Sequence, residues 1–115
     1  MKTIFCDIDG TLVKHKGFIV KQYTEDLELL DGTVEKLAEW DRKGYNIILT
    51  TGRREGMRRV TEDQLCKLGI FYDQLIMGIG PGTRVVINDK KPNSADCTAE
   101  AICIERNKGI GDINI

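Results

Sequence analysis

Ile4-Phe5-Cys6-Asp7-Ile8-Asp9-Gly10-Thr11 carries more structural information than any other octet in the chain. An apolar strand runs directly into two aspartates one residue apart and then into Gly-Thr. Side chains alternate along an extended chain, so Asp7 and Asp9 are expected on the same side of the strand end. Two carboxylates crowded there repel each other unless a hard cation neutralises them. Mg²⁺ favours one or two carboxylates together with backbone oxygens, water and substrate phosphate. Gly10 allows the sharp turn that follows. Asp-Gly alone marks an ordinary surface turn, but turn chemistry does not require an apolar lead-in with paired acids. The octet reads as a phosphoryl-transfer site.

Moving outward, residues 12–30 mix charged and apolar positions without a sustained period and read as a flap or loop near the site. Asp31-Gly32-Thr33 offers helix-capping residues, and Val34, Leu37, Ala38 and Asp41 set one face of a helix that Gly44 stops. Trp40 lies off that stripe and reads as a packing or interface residue, and His15 as a flap or surface residue. Residues 45–50 form a strand whose Ile47-Ile48-Leu49 run is apolar on both faces, as inside a parallel sheet. Thr51-Gly52-Arg53 then turns into an amphipathic helix marked by Met57, Val60, Gln64, Leu65 and Leu68 and ended by Gly69. Residues 74–77 read as a short strand and 78–83 as a Gly/Pro connection. Residues 84–88 read as another apolar strand, which ends in Asn88-Asp89. Residues 95–104 fit a helix or a strand, with a fifth strand over 100–105 preferred.

Strands alternating with helices imply right-handed crossovers and an α/β fold, a small doubly wound, Rossmann-like parallel sheet. The 115 residues make one domain, 1–115, with no room for a second catalytic or lid domain. Ligands of such sheets bind beyond the carboxyl ends of the strands, where Asp7/Asp9, Thr51-Gly52-Arg53 and Asn88-Asp89 all fall. Residues 78–83 are short for a parallel crossover, which usually takes about a dozen residues. Both good helices fall on one sheet face by the right-handed rule. Because parallel sheets are buried on both sides, a homo-oligomer contact or the C-terminal segment is expected to cover the other face.

Composition narrows the function. With 17 basic and 18 acidic residues the formal charge is −1, so no global basic field argues for nucleic acid. The Arg53-Arg54 and Arg58-Arg59 pairs form a local basic cluster beside the expected phosphate site. Cys6, Cys66, Cys97 and Cys103 show no C-x-x-C pair and only His15 for company, which argues against zinc and for reduced thiols in a cytoplasmic protein. The N-terminus enters a strand too short for a signal peptide's apolar region or a membrane span.

Hydrolysis of a phosphate ester needs a nucleophile, a cation, donors for the transferring oxygens and an acid for the leaving group. Asp7 can attack phosphorus and form an aspartyl-phosphate. Asp9 can protonate the leaving oxygen and then deprotonate water. The Thr51 hydroxyl and Gly52 amide, with Gly10 and Arg53 beside them, form the phosphate-binding set at the start of the second helix. Asp89, with Asn88, would complete the metal shell of Asp7 and Asp9.

Asp7-Ile8-Asp9-Gly10-Thr11, Ile47-Ile48-Leu49-Thr50-Thr51-Gly52-Arg53 and Val85-Val86-Ile87-Asn88-Asp89 resemble motifs one, two and four of the haloacid dehalogenase-like phosphatases. The resemblance implies Asp7 as nucleophile and Mg²⁺ ligand, and Asp9 as acid/base that ligates through its backbone carbonyl. It implies Thr51 on phosphate and an acid at the Asn88-Asp89 position on the metal. The family's motif-three helix with its basic residue is missing here. Arg84, or Lys90 and Lys91 from the other end of the strand, are the substitutes. The short spacing between the first two motifs implies a core without a cap domain, acting on an accessible phosphate or covered by a neighbouring subunit. The substrate expected is a small phosphorylated molecule, with a nucleic-acid end as the less supported option. Two other classes compete: a receiver-like phosphate-responsive module, and a catalytically weak or inactive relative kept for binding or assembly.

Overall fold

The computed structural model describes residues 1–115. Three parallel strands, β1 (Thr3–Asp7), β2 (Asn46–Thr50) and β3 (Gln74–Ile76), lie in the order β1-β2-β3. Between them run α1 (Ile19–Thr24), α2 (Thr33–Arg42), a short 3₁₀ turn (Glu55–Met57) and α3 (Arg58–Lys67). The register pairs Asp7 with Thr50 and Thr50 with Ile76, so all three carboxyl ends finish at one level. This parallel α/β core is the expected fold, and no cap domain interrupts it.

Strand alternation decides which face is buried. Ile4 and Cys6 on β1, Ile47 and Leu49 on β2 and Leu75 on β3 share one face and enter the hydrophobic core. The stripes that cover it are Thr33, Leu37 and Trp40 on α2, and Met57, Thr61 and Leu65 in the turn and α3. Trp40 therefore sits in the core, not off the stripe, and its Nε1 is buried without a partner. On the opposite face Phe5 is 57% exposed and Ile76 39%, while Ile48 on the central strand is buried but lies outside the core cluster. That face is under-covered, as two helices on one side dictate.

The C-terminal segment does not cover it. Ile110 is buried within the main core, and Ile104, Ile113 and Ile115 pack against the same cluster. The tail docks closely: a Cβ at Gly109 would lie 2.6 Å from the Asp31 carbonyl oxygen, and one at Gly32 would lie 2.5 Å from Gly111 Cα. Only glycine allows this approach, and at Gly109 and Gly32 the backbone is also left-handed.

Two expected elements do not form. Residues 84–88 make no strand, and 95–105 make neither helix nor strand. Every residue from Pro81 to Cys103 is exposed, with Val85 at 78%, Val86 at 60% and Ile87 at 92%. The connection explains the missing strand. Gly78 N–H donates to the Arg53 carbonyl at 2.7 Å and Ile79 N–H to the Thr51 carbonyl at 3.3 Å, so the chain is anchored at the carboxyl end of β2. Too few residues remain to return to the opposite end of the sheet, where a parallel strand must start. The segment instead projects, and the molecule measures 51 × 27 × 24 Å. At the arm's far end Ser94 N–H bonds the Lys91 carbonyl around a left-handed Asn93.

Candidate active site

The acidic loop is built by its own backbone. Leu12 and Val13 N–H both donate to the Ile8 carbonyl, and Gly10 N–H donates to the Val13 carbonyl at 2.7 Å. This closes a tight turn immediately after β1 in which Gly10 adopts φ +90°. The Asp9 carbonyl accepts no hydrogen bond, so its oxygen is left free at the strand end. Residues 12–14 and 28–30 pair across the flap, which carries α1 between them.

Asp7 terminates β1 with Oδ2 accepting from Thr11 Oγ1 at 3.2 Å. Burial pushes its carboxyl above the ordinary range, and the neighbouring charge of Asp9 adds to the rise. The Thr11 hydroxyl, the Ile8 amide and the Arg84 charge act in the opposite direction. An acid at the strand end with a second acid two residues on, together with the free backbone carbonyl of that second acid, is a set of hard oxygen donors suited to Mg²⁺. The neighbouring Cys6 thiol is pushed up to about 12 by burial and then by the Asp7 charge, which leaves it inert as a nucleophile. All four cysteines are free.

Asp9 is held from across the sheet. Arg53 Nε and Nη2 each donate to one Asp9 oxygen at 2.8 Å, a bidentate pair with the guanidinium almost wholly buried. Arg53 Nη1 donates to Thr61 Oγ1 at 3.1 Å and to Gln64 Oε1 at 2.8 Å. Gln64 Nε2 in turn donates to the Gln22 carbonyl on α1 at 2.7 Å and to the Glu25 carbonyl at 3.4 Å. One chain of polar contacts thus runs from the second acid to the flap. Arg53, expected in the phosphate-binding set, is instead turned inward, because the Asp9 carboxylate is the nearest group that can satisfy a buried guanidinium.

Thr51 and Gly52 lie level with Asp7. Thr51 Oγ1 accepts from Arg53 N–H at 3.1 Å, which leaves its own hydrogen to donate, and the Gly52 N–H has no partner within the chain. They do not open a helix as expected: the 3₁₀ turn begins at Glu55 and α3 at Arg58, so anion affinity here rests on the loop's own donors. Gly10 offers none, its N–H being committed to Val13. Gly52 lies under the arm's root, where a Cβ would meet the Gly80 carbonyl oxygen at 3.0 Å.

Arg84 is the basic residue whose charge reaches Asp7, while Lys90 is exposed farther along the arm. Asn88 and Asp89 are not brought to the acid pair. Asn88 Nδ2 donates to the Thr98 carbonyl at 3.1 Å, and the Asp89 carbonyl accepts from Thr98 Oγ1. No three His, Cys, Asp or Glu side chains are grouped to hold a metal. The failed fourth strand is the cause, since only a strand beside β1 would deliver both residues to the same end of the sheet.

Four contributors lie outside the expected site residues: Thr11, Thr61, Gln64 and the Arg106-Asn107 turn. Gln64 carried a signal, being a polar side chain on an otherwise apolar stripe. Asn107 carried none, although its N–H bonds the Gly10 carbonyl at 2.8 Å.

A family model of haloacid dehalogenase-like hydrolases matches residues 4–72, more than half of the chain and the whole of the sheet except β3. The chain belongs to the haloacid dehalogenase-like hydrolases. Among solved structures, a chain of the Pnkp1/Rnl/Hen1 complex is 34% identical with a TM-score of 0.60, over 73% of this chain and 30% of that one. A chain of the Pnkp1/Rnl/Hen1 RNA repair complex is 36% identical with a TM-score of 0.58, over 66% and 25% respectively. This haloacid dehalogenase-like chain therefore corresponds to under a third of either relative. D,D-heptose 1,7-bisphosphate phosphatase from B. bronchiseptica, solved with magnesium and phosphate, shares the fold at 23% identity and a TM-score of 0.53, over 70% and 52%. No curated protein matches. No helix is long and apolar enough to cross a membrane.

Proposed function

We propose that this chain is a Mg²⁺-dependent phosphohydrolase that cleaves a phosphate monoester through an aspartyl-phosphate on Asp7. The observation that carries the reading is one set of groups at the carboxyl end of the sheet. It comprises the Asp7 carboxyl, the free Asp9 carbonyl, the Thr51 hydroxyl with its hydrogen uncommitted, and the unpartnered Gly52 N–H.

An Asp7 oxygen attacks phosphorus while the bond from phosphorus to the leaving oxygen breaks, and that oxygen takes its proton at Asp9, one of whose oxygens must first leave the Arg53 fork to carry it. In the second half Asp9 takes a proton from water. The water oxygen attacks the same phosphorus, the Asp7–phosphorus bond breaks, and inorganic phosphate leaves. Thr51 and Gly52 donate to the phosphoryl oxygens, and Arg84 adds positive charge nearby. The Asp7 carboxylate and the Asp9 carbonyl would hold Mg²⁺, which would supply charge neutralisation and Lewis acidity. Asn88 and Asp89, the other expected ligands, lie apart from this set, and they would serve the metal only if residues 78–89 left the anchorage they hold here. Lys90, one position beyond, would move with them. Gly10 and Arg53 serve the phosphate site indirectly, one by shaping the turn and the other by fixing Asp9.

The substrate is read as a small phosphorylated molecule in the cytoplasm. A nucleic-acid end is the option raised by the likeness to the RNA repair complex, and the balanced charge gives it no added support. A second copy of the chain is read as covering the open parts of the sheet face at Phe5 and Ile76. Sizing by light scattering at micromolar concentration tests that element, and a monodisperse monomer removes it. The second functional reading, a catalytically weak or inactive binding or assembly relative, is favoured by the separation of Asp89 from Asp7 and Asp9. Release of phosphate from p-nitrophenyl phosphate, with and without Mg²⁺ and with Asp7→Asn as control, separates the two. Equal rates in the wild type and the variant end the enzyme reading.

A further inference from the structure

The projecting arm returns to the body through a turn that lands on the acidic loop. Asn107 N–H donates to the Gly10 carbonyl at 2.8 Å, and Asn107 Oδ1 accepts from His15 N–H at 2.7 Å. Asn107 holds φ +65°, a left-handed backbone that non-glycine residues seldom adopt and that asparagine tolerates best. Gly109 and Ile110, packed on Asp31 and into the core, fix the turn from its other side. The result is a rigid mount on the loop that carries Asp9.

That mount sets down one side chain, Arg106. Its stem lies over Gly10, where an added Cβ would sit 3.1 Å from Arg106 Cγ and 3.8 Å from Cδ. The guanidinium makes no ion pair and no hydrogen bond, in contrast to Arg53 and Arg58, each of which forks a carboxylate. An unpaired arginine fixed by its backbone and stem, but free at its head, presents a planar two-pronged donor to an outside anion. The Arg106 stem thus lies over the residue that directly follows Asp9, which in the phosphohydrolase reading serves the leaving oxygen.

We propose that Arg106 is a specificity residue that takes an anionic group, a second phosphate, on the leaving-group side of the phosphorylated substrate, with Asn107 as the positioning residue that sets it. This rests on the phosphohydrolase reading above for the location of the leaving group.

The test is the ratio of affinities for inorganic pyrophosphate and inorganic phosphate, measured by titration calorimetry with Mg²⁺ on the full chain. Wild type is expected to favour pyrophosphate by roughly ten- to hundredfold, the scale of one added charge-assisted contact. In Arg106→Ala the ratio falls to near unity, and Arg106→Lys restores part of it. Asn107→Gly keeps the left-handed backbone but removes the Oδ1 acceptor, and lowers the ratio by about threefold. Arg106 is exposed, so melting temperature should be unchanged in its variants. An unaltered ratio in Arg106→Ala, or no preference in wild type, overturns the proposal. Hydrolysis of p-nitrophenyl phosphate by wild type is scored separately, so failure of the phosphatase reading is visible independently of the binding ratio.

Discussion

The sheet with its flap and tail, and the arm of residues 81–103, obey opposite rules although both are rich in β-branched and apolar residues. In the body Ile47, Leu49 and Leu65 are buried to 1% or less, while in the arm Val85 and Ile87 stand almost fully in solvent. Composition does not separate Ile47-Ile48-Leu49 from Val85-Val86-Ile87. Connectivity does. The first run lies between two crossovers that carry helices, and the second follows six residues tied to the Thr51–Arg53 loop. Both feet of the arm nevertheless stand on the site, one at Gly52 through Gly80 and the other at Gly10 through Arg106. The body supplies acids and backbone donors, whereas the arm supplies Arg84 and the turn just beyond it supplies Arg106, neither of them paired with a carboxylate.

The largest effect is expected where the body buries charge. Arg53→Met leaves the Asp9 carboxylate without its bidentate partner and should cost about 3–5 kcal/mol in denaturant unfolding. Activity should fall with it, because Asp9 loses its fixed orientation. A small cost would mean that Asp9 has another partner in solution. Next, Leu49→Ala removes a fully buried side chain and should cost about 2–5 kcal/mol, whereas Ile87→Ala should stay within about 0.5 kcal/mol. A cost for Ile87→Ala comparable to that at Leu49 breaks the contrast and places the arm against a surface, that of a second copy or of β1.

How far these regions were legible in the sequence follows the same line. The Asp7–Thr11 and Thr50–Arg53 turns could be read because strand alternation and glycine placement are local. The missing fourth strand could not, since Val85-Val86-Ile87 has every local mark of a strand and lacks only a route to its partner. The inward turn of Arg53 was hidden because its partner lies 44 residues away, and burial decides between a phosphate and a carboxylate. Trp40 was misplaced because α2 presents Thr33, Leu37 and Trp40 to the core, a stripe that starts on a polar residue. Thr33 Oγ1 is satisfied there by the Leu12 carbonyl at 2.7 Å.

The tail tests the boundary between the regions. Gly109→Ala meets both a left-handed φ of +92° and the Asp31 carbonyl, so it should cost on the order of 1–3 kcal/mol and loosen the Arg106 turn. Rapid amide exchange at Asn107 in that variant, with β2 still protected, would show that the strap releases without the sheet. Exchange that stays as slow as in wild type would contradict the close docking.

The smallest effect concerns Asp7. Its carboxyl is raised in the folded chain, so the stability linked to it is complete below the ordinary unfolded value of about 4 and is lost as pH rises through the higher folded value. In chelator at neutral pH, Asp7→Asn should therefore melt slightly above wild type, and the advantage should disappear in acid. Mg²⁺ should raise the melting temperature of wild type more than that of the variant. A variant that melts lower at neutral pH would contradict the desolvation of Asp7.

The most direct measurement of the central claim is reductive trapping. Wild-type protein is mixed with p-nitrophenyl phosphate and Mg²⁺, quenched into borohydride, and its N-terminal peptide sequenced by mass spectrometry. The account predicts conversion of the side chain at position 7 to homoserine, dependent on substrate and Mg²⁺. Steady phosphate release with position 7 recovered as unmodified aspartate would contradict it.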